Sequence, residues 1–278
     1  MDDVFKQMTN SFFSPEIQGC LSVVESVAGY KLGASDRQPF LYFHNYLTNP
    51  QPEFITTWRN DSSQEKWYHR FANGVLGDVQ NTLACVLYHH DRLVAIEHEV
   101  MEGIERFNYR QVLGNTTVGL GNTLVWDFEY QAFILAVRRC LDYLGRAIST
   151  YFKNDFHSFR RLGDFLGKQN KPLVTTHLIG LHKKYSAEFD FVLSEGNRKS
   201  IRDKISHYEY VPVGCINLSQ RGFMLADGGE ELGFGGKNGS ALLSEVLQRH
   251  VTNIRGCIRD FVNAYVDGIR ADQAAKDI

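Results

Sequence analysis

Proline and long apolar runs are scarce in this sequence. Only six prolines occur in 278 residues, and four of them precede residue 60, so the rest of the chain is nearly free of helix breakers. No apolar run approaches the roughly 20 residues that a membrane-spanning helix needs. The acidic N-terminal residues lack the basic start and apolar stretch of a signal peptide. We therefore expect a cytoplasmic protein that has long helices and no membrane partner.

Metal-binding patterns are also lacking. The five cysteines are odd in number, widely spread and without a CxxC pair, which excludes a disulfide framework and a cysteine zinc site. The stretch from His98 to Glu102 reads HExxE, one ligand short of the HExxH zinc motif. His177 and His182 are five residues apart and diverge on a helix. We expect neither a metal nor a cofactor.

The sequence has no complete glycine-rich phosphate loop, and it has no net positive charge that would attract phosphate groups instead. Gly114 and Gly119 have the spacing of a phosphate loop, but Leu120 stands where its lysine should be. The formal net charge of −2 exerts no global attraction on polyanions. Any contact with nucleic acid must therefore come from a local basic patch.

Helical periodicity dominates what is present. Apolar residues recur every three or four positions from about residue 124 to 152, and again from about 240 to 269. Two long apolar stripes must bury against each other or against a partner, which predicts a mainly all-α helical bundle. Shorter helices are expected after Ser14-Pro15, over 61 to about 107, near 173–193 and over 197–208. The rest of the first sixty residues looks irregular.

Residues 211 to 236 break the helical pattern. They read as short strands with a turn at Asp227-Gly228-Gly229, which predicts a small β-hairpin before the last helix. Residues 115 to 122 are rich in glycine and asparagine and are expected to form a loop. We predict a mainly helical N-terminal extension over 1–115, packed on a helical bundle over 116–278.

A basic stretch with one histidine occupies residues 197 to 210. Four basic side chains fall within seven positions, and a histidine follows: Arg198, Lys199, Arg202, Lys204 and His207. A histidine near its ordinary pKa of about 6.5 can take a proton from a ribose 2′-OH or give one to the leaving oxygen. An arginine can hold the scissile phosphate through two hydrogen bonds. These residue types fit metal-free RNA cleavage that leaves a 2′,3′-cyclic phosphate.

The same stretch also fits a basic helix end without catalytic function. Arg202 could pair with Asp203 or Glu209, and His207 could cap the last carbonyl groups of its helix. Residue types alone leave both interpretations open.

At Arg202-Asp203-Lys204-Ile205-Ser206-His207 the sequence resembles the HEPN superfamily, whose motif is an arginine, four to six residues, and a histidine. The residue after the arginine is often polar in that family. The stretch from Trp126 to Leu144 looks like the long early helix of HEPN domains, so the resemblance covers about residues 120 to 270. It implies a four- or five-helix bundle that works as a homodimer or pseudo-dimer, with two motifs forming one composite site.

The resemblance also implies roles by position. Arg202 corresponds to the phosphate-binding arginine, His207 to the catalytic histidine, and Asp203 to the polar residue that orients the site. Ser206 and Tyr208 are auxiliary candidates, and the candidates for RNA binding are Arg198, Lys199 and Lys204. Many HEPN toxins carry a tyrosine two places after the histidine, which a partner nucleotidyltransferase modifies. Glu209 stands at that place here and departs from the pattern.

We therefore expect a metal-independent endoribonuclease of the toxin or antiviral-defence type, which acts on RNA as a homodimer. A nucleotidyltransferase-type antitoxin is a candidate partner. The main alternative is a non-catalytic dimeric HEPN module that binds RNA or a protein. A helical interaction protein with a chance Arg–His spacing is the third interpretation.

Overall fold

The computed structural model describes residues 14–193, 205, 210, 215–226 and 241–276. The chain divides into two compact units, Met1–Gly33 and Ala34–Ile278. Helix α1 (Pro15–Ala28) belongs to the first unit and begins where the sequence predicts. The Ser14 hydroxyl accepts a hydrogen bond from the N–H of Ile17 at 3.5 Å, and Pro15 occupies the first helical position.

Helices make up most of the described part of the second unit. They are α2 (Ala34–Thr48), α3 (Glu53–Asn60), α4 (Glu65–Asn73), α5 (Gln80–Glu105), α6 (Tyr109–Leu113), α7 (Leu124–Ser149), α8 (Leu162–Gly167), α9 (Pro172–Glu188), α10 (Asp190–Leu193) and α11 (Leu243–Ala274). A π-helical turn (Gly74–Val79) joins α4 to α5, and a 3-10 turn (Thr150–Phe152) follows α7. The prediction of a mainly helical fold is confirmed.

The two long predicted helices are present as α7 and α11, and helices also form over most of 61–107 and 173–193. The expected irregular structure before residue 60 was wrong, because α2 and α3 occupy much of it. Pro39 lies inside α2, where a proline costs about 3 kcal/mol. Burial of Phe40, Phe43 and Leu47 outweighs that cost, since each such side chain contributes about 1.5–3 kcal/mol.

The core of the second unit is built around α7 and α11. Helix α5 lies along α7, whereas α9 and α2 lie along α11. Rings from several elements meet between them: the Phe71 ring lies 5.3 Å from Phe43 and 5.8 Å from Tyr265. Gly268 allows α9 to approach α11, because a Cβ at this position would lie 2.9 Å from the Cα of Val174. Within the described residues, no helix is both long and apolar enough to cross a membrane.

Four short strands form an antiparallel sheet in chain order: β1 (Val118–Gly119), β2 (Cys215–Ser219), β3 (Gly222–Ala226) and β4 (Ala241–Leu242). The predicted hairpin before the last helix is confirmed as β2 and β3. Residues 220–221 form its turn, whereas the predicted turn at 227–229 lies outside the described residues. Val118 and Gly119 were expected in a loop, but they pair with Leu218 and Asn217 because the edge of β2 offers main-chain partners.

Helices from both sides of residue 115 contribute to the second unit, since α5 lies along α7. The division into an N-terminal extension and a bundle at that residue stays a prediction.

Candidate functional site

The residues that the sequence selects for the site lie outside the described residues, as does the helix expected over 197–208 apart from Ile205. They are Arg198, Lys199, Arg202, Asp203, Lys204, Ser206, His207 and Tyr208. We call residues 194–209 the motif segment. The described structure provides the frame on either side of it, which consists of α10 before the segment and Tyr210 after it.

Helix α10 ends at Leu193, directly before the motif segment, and is fixed to α7 by Arg138. The Nη1 of Arg138 donates a hydrogen bond to the carbonyl oxygen of Val192 at 2.9 Å, and its Nε donates to Oδ2 of Asp142 at 2.9 Å. The second oxygen of Asp142 accepts from the N–H of Phe159 at 3.0 Å. The Arg138 side chain is only 7% exposed. Because little water reaches it, these partners stabilise its positive charge.

Three of the four side chains of α10 face the core. Phe191, Val192 and Leu193 are all buried, and the Phe191 ring lies 4.0 Å from the ring of His250 on α11. Burial lowers the pKa of His250 to about 3, and the charge of Arg249 acts in the same direction. The imidazole is therefore neutral at physiological pH. Helix α10 is held between α7 and α11.

Tyr210 is the first described residue after the motif segment, and it is also fixed to α7. Its hydroxyl donates to Oδ2 of Asp127 at 2.6 Å, and Asp127 is a buried carboxylate in the first turn of that helix. Tyr210 is 51% exposed; partial desolvation of its phenol, together with the hydrogen bond and charge of Asp127, raises the pKa of Tyr210 to about 12. The phenol therefore stays a hydrogen-bond donor at physiological pH.

Val192 and Tyr210, the described residues that flank the motif segment, are thus both attached to one helix. Asp127 and Arg138 are eleven residues apart, which corresponds to about 16 Å along the axis of α7 at 1.5 Å per residue. The stretch of α7 from Asp127 to Arg138 contacts both flanks of the motif.

The start of α7 also contacts the sheet and α5. The Trp126 ring lies 4.9 Å from the ring of Phe223 on β3. On the other side, Nδ1 of His89 lies 2.9 Å from Oε2 of Glu129, and Nε of Arg92 lies 4.0 Å from Oε1. A histidine bonded to a carboxylate can hold or transfer a proton. The sequence did not select this pair because forty positions separate its members and only the packing of α5 on α7 joins them.

A second polar site is a groove of about 450 Å³ between α2, α9 and α11. Charged residues that line it are Asp36, Lys184, Glu188, Arg255 and Arg259. Its cations are paired: Arg255 contacts Asp36 at 2.9 Å, whereas Lys184 and Arg259 contact Asp260 at 3.2 and 3.0 Å. Burial opposes the ionisation of Asp260, but hydrogen bonds from Tyr185, Arg259 and Lys184 hold its pKa below the usual value. The groove is therefore an internally compensated ion-pair network between helices.

Comparison with known proteins gives a partial match to an enzyme. The chain is 34% identical over 87 residues to acetylglutamate kinase of Trichlorobacter lovleyi. The match spans 31% of this chain and 29% of the relative, so the chain covers less than a third of that protein. No protein-family model matches the chain, and no solved structure matches it. These comparisons assign neither a family nor an activity.

Proposed function

We propose that this protein is a metal-independent endoribonuclease of the HEPN type, in which Arg202 and His207 act on RNA. The observation that carries the proposal is the Arg-x4-His spacing in a basic stretch whose two flanks are attached to the same helix. The mainly helical fold agrees with the bundle that the HEPN resemblance implies.

The proposed reaction is an internal transesterification. The His207 imidazole accepts the proton of the ribose 2′-OH, the 2′ oxygen forms a bond to phosphorus, and the bond from phosphorus to the 5′ oxygen breaks. A protonated imidazole returns a proton to the leaving 5′ oxygen. The Arg202 guanidinium binds the phosphate through two hydrogen bonds and stabilises the charge that develops on it. The products are a 2′,3′-cyclic phosphate and a 5′-hydroxyl, and the nucleophile requires no metal-bound water.

The proposal includes a homodimer because the HEPN resemblance implies one, and the motif's own spacing is compatible with it. Two residues five positions apart on a regular helix diverge by about 140°. Arg202 and His207 therefore act on one phosphate either at a helix end or together with their copies from a second chain. Asp203, Ser206 and Tyr208 would orient the reacting groups, and the neighbouring basic residues would contact adjacent phosphates: Arg198, Lys199 and Lys204.

The proposed biological setting is a toxin or antiviral-defence system in the cytoplasm, as the resemblance implies. A nucleotidyltransferase-type antitoxin is a candidate partner. Glu209 replaces the tyrosine that such an enzyme modifies in many HEPN toxins. Tyr210 is engaged with Asp127, so modification of this phenol would first break the attachment of the chain to α7.

The test is a nuclease assay on single-stranded RNA in the presence of EDTA. We expect the wild-type protein to cleave and to leave cyclic phosphate ends. Arg202→Ala and His207→Ala should each lower the cleavage rate about a hundredfold or more, the range for loss of a general acid–base or a charge-stabilising group. Arg139→Ala and His98→Ala are the matched controls, because both side chains are exposed, and they should retain full activity.

Two results would contradict the proposal. Cleavage that requires Mg²⁺ and leaves 3′-hydroxyl ends would point to a different mechanism. Cleavage that persists in both motif variants would show that Arg202 and His207 are not catalytic residues. RNA binding without any cleavage would instead favour the non-catalytic HEPN module.

A further inference from the structure

The described residues on the two sides of the motif segment restrain it to very different degrees. Tyr210 comes three residues after His207, whereas Val192 comes ten residues before Arg202. Because consecutive Cα atoms are about 3.8 Å apart, the Cα of His207 lies within about 11 Å of the Cα of Tyr210. The same geometry allows up to about 38 Å between Val192 and Arg202. His207 is therefore the proposed catalytic residue that the described structure restrains more closely.

Asp127 provides a fixed point of attachment for Tyr210. Its Oδ2 accepts the hydrogen bond of the Tyr210 hydroxyl at 2.6 Å, and the residue is only 4% exposed. The N–H of Asp127 donates to the carbonyl oxygen of Thr123 at 3.0 Å, so the anchor belongs to the first turn of α7. Tyr130, one turn further along α7, is also buried. The Tyr210 hydroxyl is thus bonded to a buried turn of a long helix.

The chain after Tyr210 returns to the same turn of α7. Strand β2 begins at Cys215, five residues after Tyr210, and pairs with β3. The Phe223 ring of β3 lies 4.9 Å from the ring of Trp126, which directly precedes Asp127 in the sequence. Neighbouring residues of α7 therefore contact both Tyr210 and the hairpin that follows it. Tyr210 is held in place by its bond to Asp127 and by the chain on its C-terminal side.

The proposed reaction depends more on the position of the histidine than on that of any single cation. Proton transfer requires the His207 imidazole within about 2.6–3.2 Å of the reacting oxygen, and a misplacement of about 1 Å can lower a rate about a hundredfold. Binding of the RNA strand is shared, in the proposed function, among several cations: Arg198, Lys199, Arg202 and Lys204. A weaker restraint on His207 should therefore lower turnover and leave RNA binding nearly unchanged.

We propose that Tyr210 and Asp127 are positioning residues that hold His207 in place for proton transfer. The inference rests on the proposed nuclease, and it adds two described residues that lie outside the Arg-x4-His motif. Neither side chain transfers a proton in this role, because Asp127 is buried and the Tyr210 hydroxyl already donates to it. The two residues act on the reaction only through the three-residue connection to His207.

The test is steady-state cleavage of a labelled single-stranded RNA in EDTA. Tyr210→Phe removes the hydroxyl and keeps the ring, and it should lower kcat about tenfold or more while KM stays within about twofold. An unchanged KM distinguishes a loss of positioning from a loss of RNA binding. The matched control is Tyr68→Phe, which removes the hydroxyl of a partly exposed tyrosine on α4 and should leave both constants unchanged.

Variants of Asp127 test whether the hydroxyl acts through this carboxylate. Asp127→Asn keeps an oxygen that can accept from Tyr210 and should retain most of the activity, whereas Asp127→Leu should lower kcat as Tyr210→Phe does. The double variant Asp127→Leu/Tyr210→Phe should be no slower than the slower single variant, because both changes remove the same hydrogen bond. Since Asp127 is buried, urea unfolding checks that its variants fold. Tyr210→Phe changes a half-exposed side chain and tests the proposal without them.

Chemical rescue distinguishes the positioning of His207 from a general disturbance of the site. Free imidazole added to His207→Ala should restore part of the cleavage, because it supplies the missing acid–base group without a connection to the chain. The rescued rate should be the same in His207→Ala and in His207→Ala/Tyr210→Phe. A lower rescued rate in the double variant would show that Tyr210 supports the site in another way, and would overturn the proposal.

The remaining outcomes separate this inference from the nuclease itself. Cleavage that is lost in His207→Ala but proceeds at the wild-type kcat in Tyr210→Phe would support the nuclease and overturn the positioning role. A raised KM with an unchanged kcat in Tyr210→Phe would also overturn it, since Tyr210 would then bind RNA. A wild-type chain that does not cleave RNA would contradict the nuclease and this inference together.

Discussion

His250 places an imidazole in the core, directly beneath the helical turn that precedes the motif segment. The residue is 4% exposed, and its ring contacts Phe191 of α10 at a centroid distance of 4.0 Å. Burial lowers its pKa to about 3, whereas the unfolded chain keeps a value of about 6.5. Protonation in the fold would place a charge in an apolar interior.

We therefore expect acid to weaken the fold through His250. Between pH 6.5 and 3 the unfolded chain binds the proton more readily than the folded chain. The contribution of neutral His250 to the free energy of unfolding is complete above pH 6.5. It is lost as the pH falls toward 3, by up to about 1.4 kcal/mol per pH unit. Urea unfolding at pH 7, 5.5 and 4 should show His250→Phe gaining stability relative to wild type as the pH falls. His98→Gln, which changes an exposed histidine, should show no such trend; a constant difference for His250→Phe would contradict the prediction.

Among the elements, α10 is held in part by a charged side chain of another helix. It comprises four residues, too few for a stable helix in isolation. Arg138 of α7 donates to its Val192 carbonyl and pairs with Asp142 at the same time. The helix that precedes the motif segment is therefore held by a buried charge on another helix.

Arg138→Met should destabilise the protein by about 2–4 kcal/mol in urea unfolding. Loss of one partner from a buried ion pair costs about 3–5 kcal/mol, and partial exposure of Asp142 reduces that figure. The control is Arg139→Met, which changes the exposed neighbour and should alter stability by no more than about 0.5 kcal/mol. Similar values for the two variants would show that the Arg138 interactions do not hold α10.

At the scale of the whole molecule, the helices of the second unit meet in an aromatic cluster. Phe71 of α4 contacts Phe43 of α2, Tyr151 in the 3-10 turn after α7, and Tyr265 of α11. The Tyr265 hydroxyl also donates to the Ala147 carbonyl at 3.1 Å. Side chains distant in sequence thus hold α7, which contacts both flanks of the motif, within the same core as α11.

The proposed composite site requires two chains. We expect light scattering to give about twice the chain mass of 31.7 kDa. A mixture of Arg202→Ala and His207→Ala chains, allowed to exchange subunits, should regain part of the cleavage activity, because a mixed dimer keeps one intact arginine and one intact histidine. A strict monomer with full wild-type activity would contradict a site shared between chains.

Local patterns predicted most of the helices. Tyr130, Phe133 and Val137 repeat at helical spacing and lie buried on α7, and Ser14-Pro15 starts α1. The sequence pattern did not predict α2, which contains Pro39, because burial of the neighbouring aromatic residues outweighs the energetic cost of a proline inside a helix. It also failed at Val118 and Gly119, because an edge strand of two residues depends on its partner strand. The roles of Arg202 and His207 stay predictions.

The sequence by itself determined the helical character of the chain and the chemistry that its basic motif could perform. Both are local properties, since helical hydrogen bonds and faces join residues three or four positions apart. The tertiary structure alone decided that Asp127 and Arg138, on one helix, hold Tyr210 and Val192. Those pairs are 83 and 54 residues apart, and no local pattern brings them together; only the packing of the core does.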